Sequence, residues 1–271
     1  MSKTILLIHG AWLTPAIWQP WIARYEAQGF KVLAPAWPFM DRPVEELRRA
    51  PHPDFGKLTL GKIVDHYAAI ISTLPEQPIL IGHSYGGLIV QMLLDRDLGV
   101  AGVSIDPGPA AGIKPGAKAF LSALPVFLAW RGWSRALSMS FKHFAKNFAN
   151  GLPEPEQRQA FDRHIVPAPG RIYYQSVLGV GASVDWKKAD RAPLLLVSGA
   201  KDRTVEPGMV RQNHRRYAAS SAMTEIASFL GRNHLLIAAS GWEEVADHVL
   251  KWVQQQPTSR NSQVSRQIAS P

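Results

Sequence analysis

The stretch from Pro78 to Leu94 constrains this chain most, because it holds the makings of a strand, a tight turn and a helix within seventeen residues. Pro78-Ile79-Leu80-Ile81 is a short apolar run of strand type, Gly82-His83-Ser84-Tyr85-Gly86-Gly87 follows, and Leu88 to Leu94 continues almost wholly apolar. A chain that passes from strand to helix so abruptly has almost no room for side chains two residues before and two after the apex. Both positions, Gly82 and Gly86, are glycine. The turn lifts the hydroxyl of Ser84 above the sheet edge, and the N-terminal end of the helix beneath it favours negative charge. A bare G-x-S-x-G is a weak signal; the strand before it and the helix after it make it specific.

The rest of the chain is organised around that turn. Thr4 to Ile8 is a continuous apolar strand ending in His9-Gly10-Ala11-Trp12, and its continuity, without alternation, predicts a parallel strand covered on both faces. Pro15 opens a helix with Ile17, Trp21, Ile22 and Tyr25 at helical spacing, and Gly29 closes it. Lys31 to Ala34 is a second strand, stopped by Pro35. Residues 36–58 read as a loop with one helical turn near Glu45 to Arg49. Thr59 is placed to cap a helix whose buried stripe is Ile63, Tyr67, Ile70 and Ile71. After the serine turn come a strand over Val100 to Ile105, another from Pro193 to Ser198, a helix near Pro207 to Ala218, a weaker strand near Ala222 to Ala227 and a last helix from Trp242 to Val253. Strands alternating with helices predict a doubly wound, mostly parallel α/β sheet of about six strands.

Between Ala110 and Asp190 that rhythm is lost. Helical segments thick with aromatics are interrupted at Pro125, Pro153, Pro155, Pro167 and Pro169, and no strand is evident. The expected organisation is therefore a core of residues 1–109 and 191–256, a helical cap of residues 110–190 inserted after the strand that follows the serine strand, and a polar, aperiodic tail over 257–271 expected to be disordered.

Composition closes several routes. There is no cysteine among the 271 residues, so thiol catalysis, disulfides and cysteine metal sites are excluded. The basic residues behind the formal charge of +9 are scattered, and no run resembles a nucleic-acid arm. Met1-Ser2-Lys3 leads straight into a strand too short for a signal peptide or membrane span, so a cytoplasmic protein is the expectation. No phosphate loop is present, Gly179-Val180-Gly181 lacks the strand and helix of a dinucleotide site, and no cluster has metal-ligand spacing. No metal and no cofactor are implied.

A serine hydroxyl needs a base, and the base needs a carboxylate to orient it. His234 lies in Gly231-Arg232-Asn233-His234, a polar loop between the last strand and the last helix, which puts it at the carboxyl edge of the sheet with Ser84. Asp202 leaves the same edge through the Gly199-Ala200-Lys201 turn; Asp106, which ends the strand after the serine strand, is its rival and reads more simply as a turn-former before Pro107. Two backbone N–H groups are needed for a developing oxyanion. Tyr85 supplies one, and the bend at Gly10 directs that of Ala11, with Trp12 as the neighbouring alternative.

With His9-Gly10-Ala11-Trp12, Gly82 to Gly87, Gly199 to Asp202 with Val205, and Asn233-His234 in place, the chain from Ile5 to about Val253 resembles a serine hydrolase of the α/β-hydrolase superfamily. The resemblance implies a Ser84, Asp202, His234 triad, an acyl-enzyme, no cofactor, and a small-molecule ester or lactone as partner. The start of the chain is similar to the compact plant methyl-esterase and hydroxynitrile-lyase members. The lyases carry a lysine where Leu235 stands and a threonine where Gly10 stands, which argues against cyanohydrin chemistry. Carbon–carbon bond hydrolysis, haloperoxidase-like activity and a ligand receptor are the competing readings within the fold.

Projected at about 100° per residue, Trp130, Trp133, Leu137, Phe141, Phe144 and Phe148 fall in one stripe, with Arg131, Arg135, Lys142 and Lys146 in another. That pattern predicts one amphipathic helix over 130–148, acting as a lid. Trp130, Trp133, Phe141 and Phe144, with Trp12 and Trp37, are the expected substrate pocket, favouring a hydrophobic or aromatic group. Docking of the basic face on anionic lipid is the less favoured alternative.

Overall fold

The structure is a computed structural model, described here for residues 2–256; the predicted tail lies outside the described residues. Six parallel strands form the central sheet: β1 (Thr4–Ile8), β2 (Lys31–Leu33), β3 (Ile79–His83), β4 (Ala101–Ile105), β7 (Leu194–Gly199) and β8 (Thr224–Phe229). Their order across the sheet is β2-β1-β3-β4-β7-β8. Every residue of β1, β3, β4 and β7 is buried. Because successive side chains point to opposite faces, both faces of the centre are covered, as the unbroken apolar runs predict. The edge strands β2 and β8 are only partly buried and carry exposed residues.

The helices follow their sequence signals closely. Pro15 starts a single tight turn, Pro15–Trp18, which runs into α1 (Gln19–Glu26), and α2 (Val44–Arg49) is the short helical turn expected near Glu45. In α3 (Leu60–Ser72) the cap is Thr59, whose hydroxyl oxygen accepts from the Lys62 N–H at 3.2 Å. The serine turn feeds α4 (Tyr85–Asp95), which is buried on all sides between β1, β3, β4 and α3. Two more helices, α9 (Pro207–Tyr217) and α10 (Trp242–Gln254), complete the α/β alternation.

The order reverses between β1 and β3: the chain adds β2 on one side of β1, then crosses to build β3, β4, β7 and β8 on the other. The connections after β1 and β3 therefore diverge, and the crevice between their carboxyl ends is where open α/β sheets bind ligands. Ala11 and Ser84 follow those two strands.

Between Ile105 and Leu194 the chain leaves the sheet and forms α5 (Ala117–Leu128), α6 (Phe141–Asn147), α7 (Glu154–His164) and α8 (Arg171–Leu178). It also forms a two-residue antiparallel ladder, β5 (Ala136–Leu137) with β6 (Ala168–Pro169), where no strand was expected. The single helix predicted over 130–148 does not exist. Arg131 adopts a left-handed conformation with φ 54°, Gly132–Ser134 is one tight turn, Arg135 is extended, and Ser140 starts α6 afresh by accepting from the His143 N–H. The 100° projection registers apolar spacing and is blind to these breaks: glycine and serine favour turns and caps over helix interior.

Candidate active site

Ser84 sits at φ 56°, ψ −125°, a sparsely populated region for a residue with a side chain, so the surrounding bonds must hold it there. They do. Its N–H donates to the Ile105 carbonyl at 2.9 Å, and its own carbonyl accepts from Gly87 and Gly108, each at 2.8 Å. Close approaches that only glycine permits hold this turn in place. A Cβ on Gly86 would collide with the Ile8 carbonyl, and one on Gly10 would stand 2.7 Å from the Ser84 Cβ.

His234 is fully buried in the loop after β8. Its Nδ1–H donates to Asp202 Oδ2 at 2.5 Å, and the other Asp202 oxygen accepts from the N–H groups of Thr204 (2.6 Å) and Val205 (2.9 Å). Asp202 is thus gripped by its own turn and presents one oxygen to the ring. With Nδ1 protonated, Nε2 is the basic nitrogen, and it has no hydrogen-bond partner among the described residues.

Two residues without a predicted role position that ring. His83, beside Ser84, donates from Nε2 to the His234 carbonyl at 2.8 Å, its ring 4.6 Å from that of His234. Burial, reinforced by His234, holds the His83 pKa well below the imidazole range, so it stays a neutral donor. Phe148 meets His234 edge-on at 4.4 Å and stacks on Phe144. The variable position before the serine was the one available clue to His83; no local signal marks Phe148. The His234 loop is also tied from below, where Trp21 Nε1 donates to the Ile237 carbonyl at 2.8 Å.

Asp106, the rival carboxylate, occupies the same buried cluster: one ligand atom each from Asp106, Asp202 and His234 lie within 4.8 Å of one another. Its Oδ1 accepts from the Gly199 N–H at 2.9 Å, while no group among the described residues donates to Oδ2. Burial first, and the Asp202 charge second, push its pKa well above the usual carboxylate range, so Asp106 is held as the neutral acid. A metal ion here would displace the Asp202–His234 bond, so the donors already in use fit the cluster poorly to a metal site.

Over Ser84 opens a cavity of about 760 Å³. Trp12, Ser84, Tyr85 and Gly108 form its floor; Phe120, Ala123, Val126 and Phe127 of α5, Met139, and Tyr173 and Val177 of α8 form much of its wall. Of the six aromatic residues expected in the pocket, Trp12 lines it. Its Nε1–H donates to the Tyr173 hydroxyl at 2.5 Å. The other five are not among the lining residues. Trp37 stacks on His9 at 4.9 Å, beneath the turn after β1. Phe144 is fully buried between Phe148 and Phe161, and Phe141 packs on Phe161. Trp130 and Trp133 face solvent, 80% and 49% exposed. With the helix broken at Arg131 and Gly132, residues that share a stripe on paper point to different places.

Known proteins carry the same architecture. A monoacylglycerol lipase from Paleococcus ferrophilus superposes with a TM-score of 0.65 at 22% identity, covering 92% of this chain and 93% of its own. The methylesterase MES16 from Arabidopsis gives 0.67 at 14% identity, with 93% and 98% covered. A pyrethroid hydrolase from Sphingobium faniae gives 0.64 at 18%, with 94% and 98% covered. At these identities the likeness is one of fold. No curated protein matches the chain. The model of one family, described as the alpha/beta hydrolase family, matches residues 5–248, nearly the whole of the described chain, and the chain belongs to that family.

Proposed function

We propose that this protein is a serine hydrolase that cleaves a carboxylic ester or lactone carrying a hydrophobic or aromatic group, through an acyl-enzyme on Ser84. The observation that carries the reading is the Asp202–His234 bond, which leaves His234 Nε2 unpartnered in the loop that His83 ties to the serine turn. In the first step His234 Nε2 takes the Ser84 proton as Oγ bonds to the acyl carbon, and Asp202 stabilises the imidazolium without itself being protonated. The carbonyl oxygen becomes an oxyanion that accepts from the N–H groups of Tyr85 and Ala11. Tyr85 is the first residue of α4, where the N–H lacks an intrahelical partner and the helix dipole is positive. Each such donor contributes on the order of 10²–10³ in rate. The leaving alkoxide departs with the proton held on His234, and a water activated by the same nitrogen releases the acid.

Residues 110–190 act as the cap of this site, and the apolar wall from α5 and α8 is the basis for assigning a hydrophobic acyl or alcohol group. The structures named above are those of a lipase, a methylesterase and a pyrethroid hydrolase, which supports an ester bond as the target. The test is a fluorophosphonate probe followed by peptide mapping, with turnover of p-nitrophenyl esters of graded acyl length. One adduct on the Ser84 peptide, lost in Ser84→Ala, is the expected result. Persistent labelling of Ser84→Ala, or none of the wild type, overturns the reading, and the second outcome favours a receptor.

A further inference from the structure

The surface around the cavity mouth differs from the rest of the protein in two independent respects. Eight of the eleven large apolar residues most exposed among the described residues fall between positions 120 and 180. Phe120, Leu121 and Leu128 project from α5, Trp130 and Trp133 follow it, and three more sit at the end of α8. Leu128 is 75% exposed and Trp130 80%. Ring contacts of Tyr174 with Phe127 (5.1 Å) and Trp133 (6.2 Å) join α5, the loop after it and α8 into one surface. An apolar patch of this extent on a soluble protein marks an interaction site.

Charge is the second respect. From Pro107 to Pro153 the chain has no aspartate or glutamate and six lysines and arginines, although acidic residues are spread through the rest of the sequence. All six, Lys114, Lys118, Arg131, Arg135, Lys142 and Lys146, are exposed, and none has an ion-pair partner among the described residues. Glu206, a carboxylate that meets the first turn of α5, accepts from the Ala119 N–H at 3.1 Å. A second copy of the same face would meet basic residues with basic residues. A bilayer with anionic headgroups matches both features at once, taking the apolar side chains at the acyl boundary and the lysines and arginines at the phosphates.

We infer that the outer surface of α5, the 129–135 loop and the end of α8 docks on an anionic lipid bilayer, with the mouth of the Ser84 cavity turned toward the membrane. Phe120 and Val177 are both exposed and part of the cavity wall, so the docking face runs without a break into the cavity. A single-chain acyl lipid then passes from bilayer to cavity along an apolar path. The surface stands on its own observations, and vesicle binding is read without turnover, so its failure and failure of the hydrolase reading are separate results.

The experiment is co-sedimentation of the full chain, as wild type and as Ser84→Ala, with equimolar phosphatidylglycerol and phosphatidylcholine vesicles and with phosphatidylcholine alone. Both proteins should bind the anionic vesicles, weaken as salt rises, and bind the zwitterionic vesicles far less. The triple change Lys118→Gln, Arg131→Gln, Arg135→Gln should weaken anionic binding by about 100-fold, at roughly fivefold per basic group near the surface. Leu128→Ser with Trp130→Ser should also weaken it. Thermal unfolding of both variants checks that they remain folded. No binding to anionic vesicles, or undiminished binding by the folded triple variant, overturns the inference. So does analytical ultracentrifugation showing a dimer abolished by Leu128→Ser, which would assign the face to a second copy of the chain.

Discussion

Asp106 and Asp202 share one buried cluster with His234, yet only Asp202 hydrogen-bonds the imidazole. The division follows from their turns. The Asp202 turn aims two backbone N–H groups at one oxygen and leaves the other for His234, while Asp106 accepts from Gly199 and is neutral. Asp202→Asn should lower kcat by about 10⁴ by enforcing the wrong tautomer of His234. Asp106→Asn, which swaps a neutral acid for a neutral amide, should cost far less. Steady-state kinetics of the two variants on one p-nitrophenyl ester decides, and the reverse ranking moves the orienting acid to the end of β4.

His83 holds His234 through its backbone carbonyl and its ring. Changing it to alanine removes the donor to the His234 carbonyl and one wall of the ring, so a misplacement approaching 1 Å is expected to lower kcat by up to about 100-fold. KM should stay nearly constant because His83 does not line the cavity. A rise in KM at constant kcat contradicts this role.

The aromatic residues of the 130–148 segment separate by what they touch. Phe144→Ala should destabilise the protein by about 3–5 kcal/mol, the usual cost of deleting a fully buried ring. Trp133→Ala, at a half-exposed ring, should cost much less. Urea unfolding of both variants measures the difference, and equal losses contradict the assigned packing.

Acyl-chain selectivity should instead respond to the α5 wall. Val126 is buried and lines the cavity, so Val126→Phe shortens the space above Ser84. KM for long acyl esters should rise at least several-fold while acetate hydrolysis changes little. A uniform effect on all chain lengths would mean the acyl group lies elsewhere.

His9 makes acid stability testable. Its Nδ1–H donates to the Gly10 carbonyl at 2.9 Å, its Nε2 accepts from the Trp37 N–H at 3.2 Å, and burial depresses its pKa to about 4. Between pH 6.5 and 4 the unfolded chain takes up a proton that the folded one refuses, so stability falls as pH falls through that window. By pH 5 the His9 share is about 2 kcal/mol. Asp95, pushed up to about 6 by burial, and Asp106 act in the opposite direction, so the readout is a difference between proteins. The stability gap between wild type and His9→Gln, measured by urea unfolding at pH 7.5 and 5.0, should narrow toward acid. A constant gap contradicts a neutral His9.

The amino-acid sequence alone determined the parallel core and the position of the serine, because both rest on local rules. Unbroken apolar runs predict strands covered on both faces, and Gly82 and Gly86 around Ser84 admit one sharp turn. The loop holding His234 was legible for the same reason, as a polar segment between the last strand and the last helix. Tertiary structure decided which carboxylate meets His234, since Asp106 and Asp202 leave the same sheet edge and only the direction of each turn distinguishes them. It also decided the cavity. Trp130, Trp133, Phe141 and Phe144 match a helical stripe, but a left-handed residue at Arg131 and a new helix start at Ser140 redirect each of them. The wall fell to α5 and α8 instead, because burial depends on which segments meet over Ser84, a long-range property that spacing within one segment does not encode.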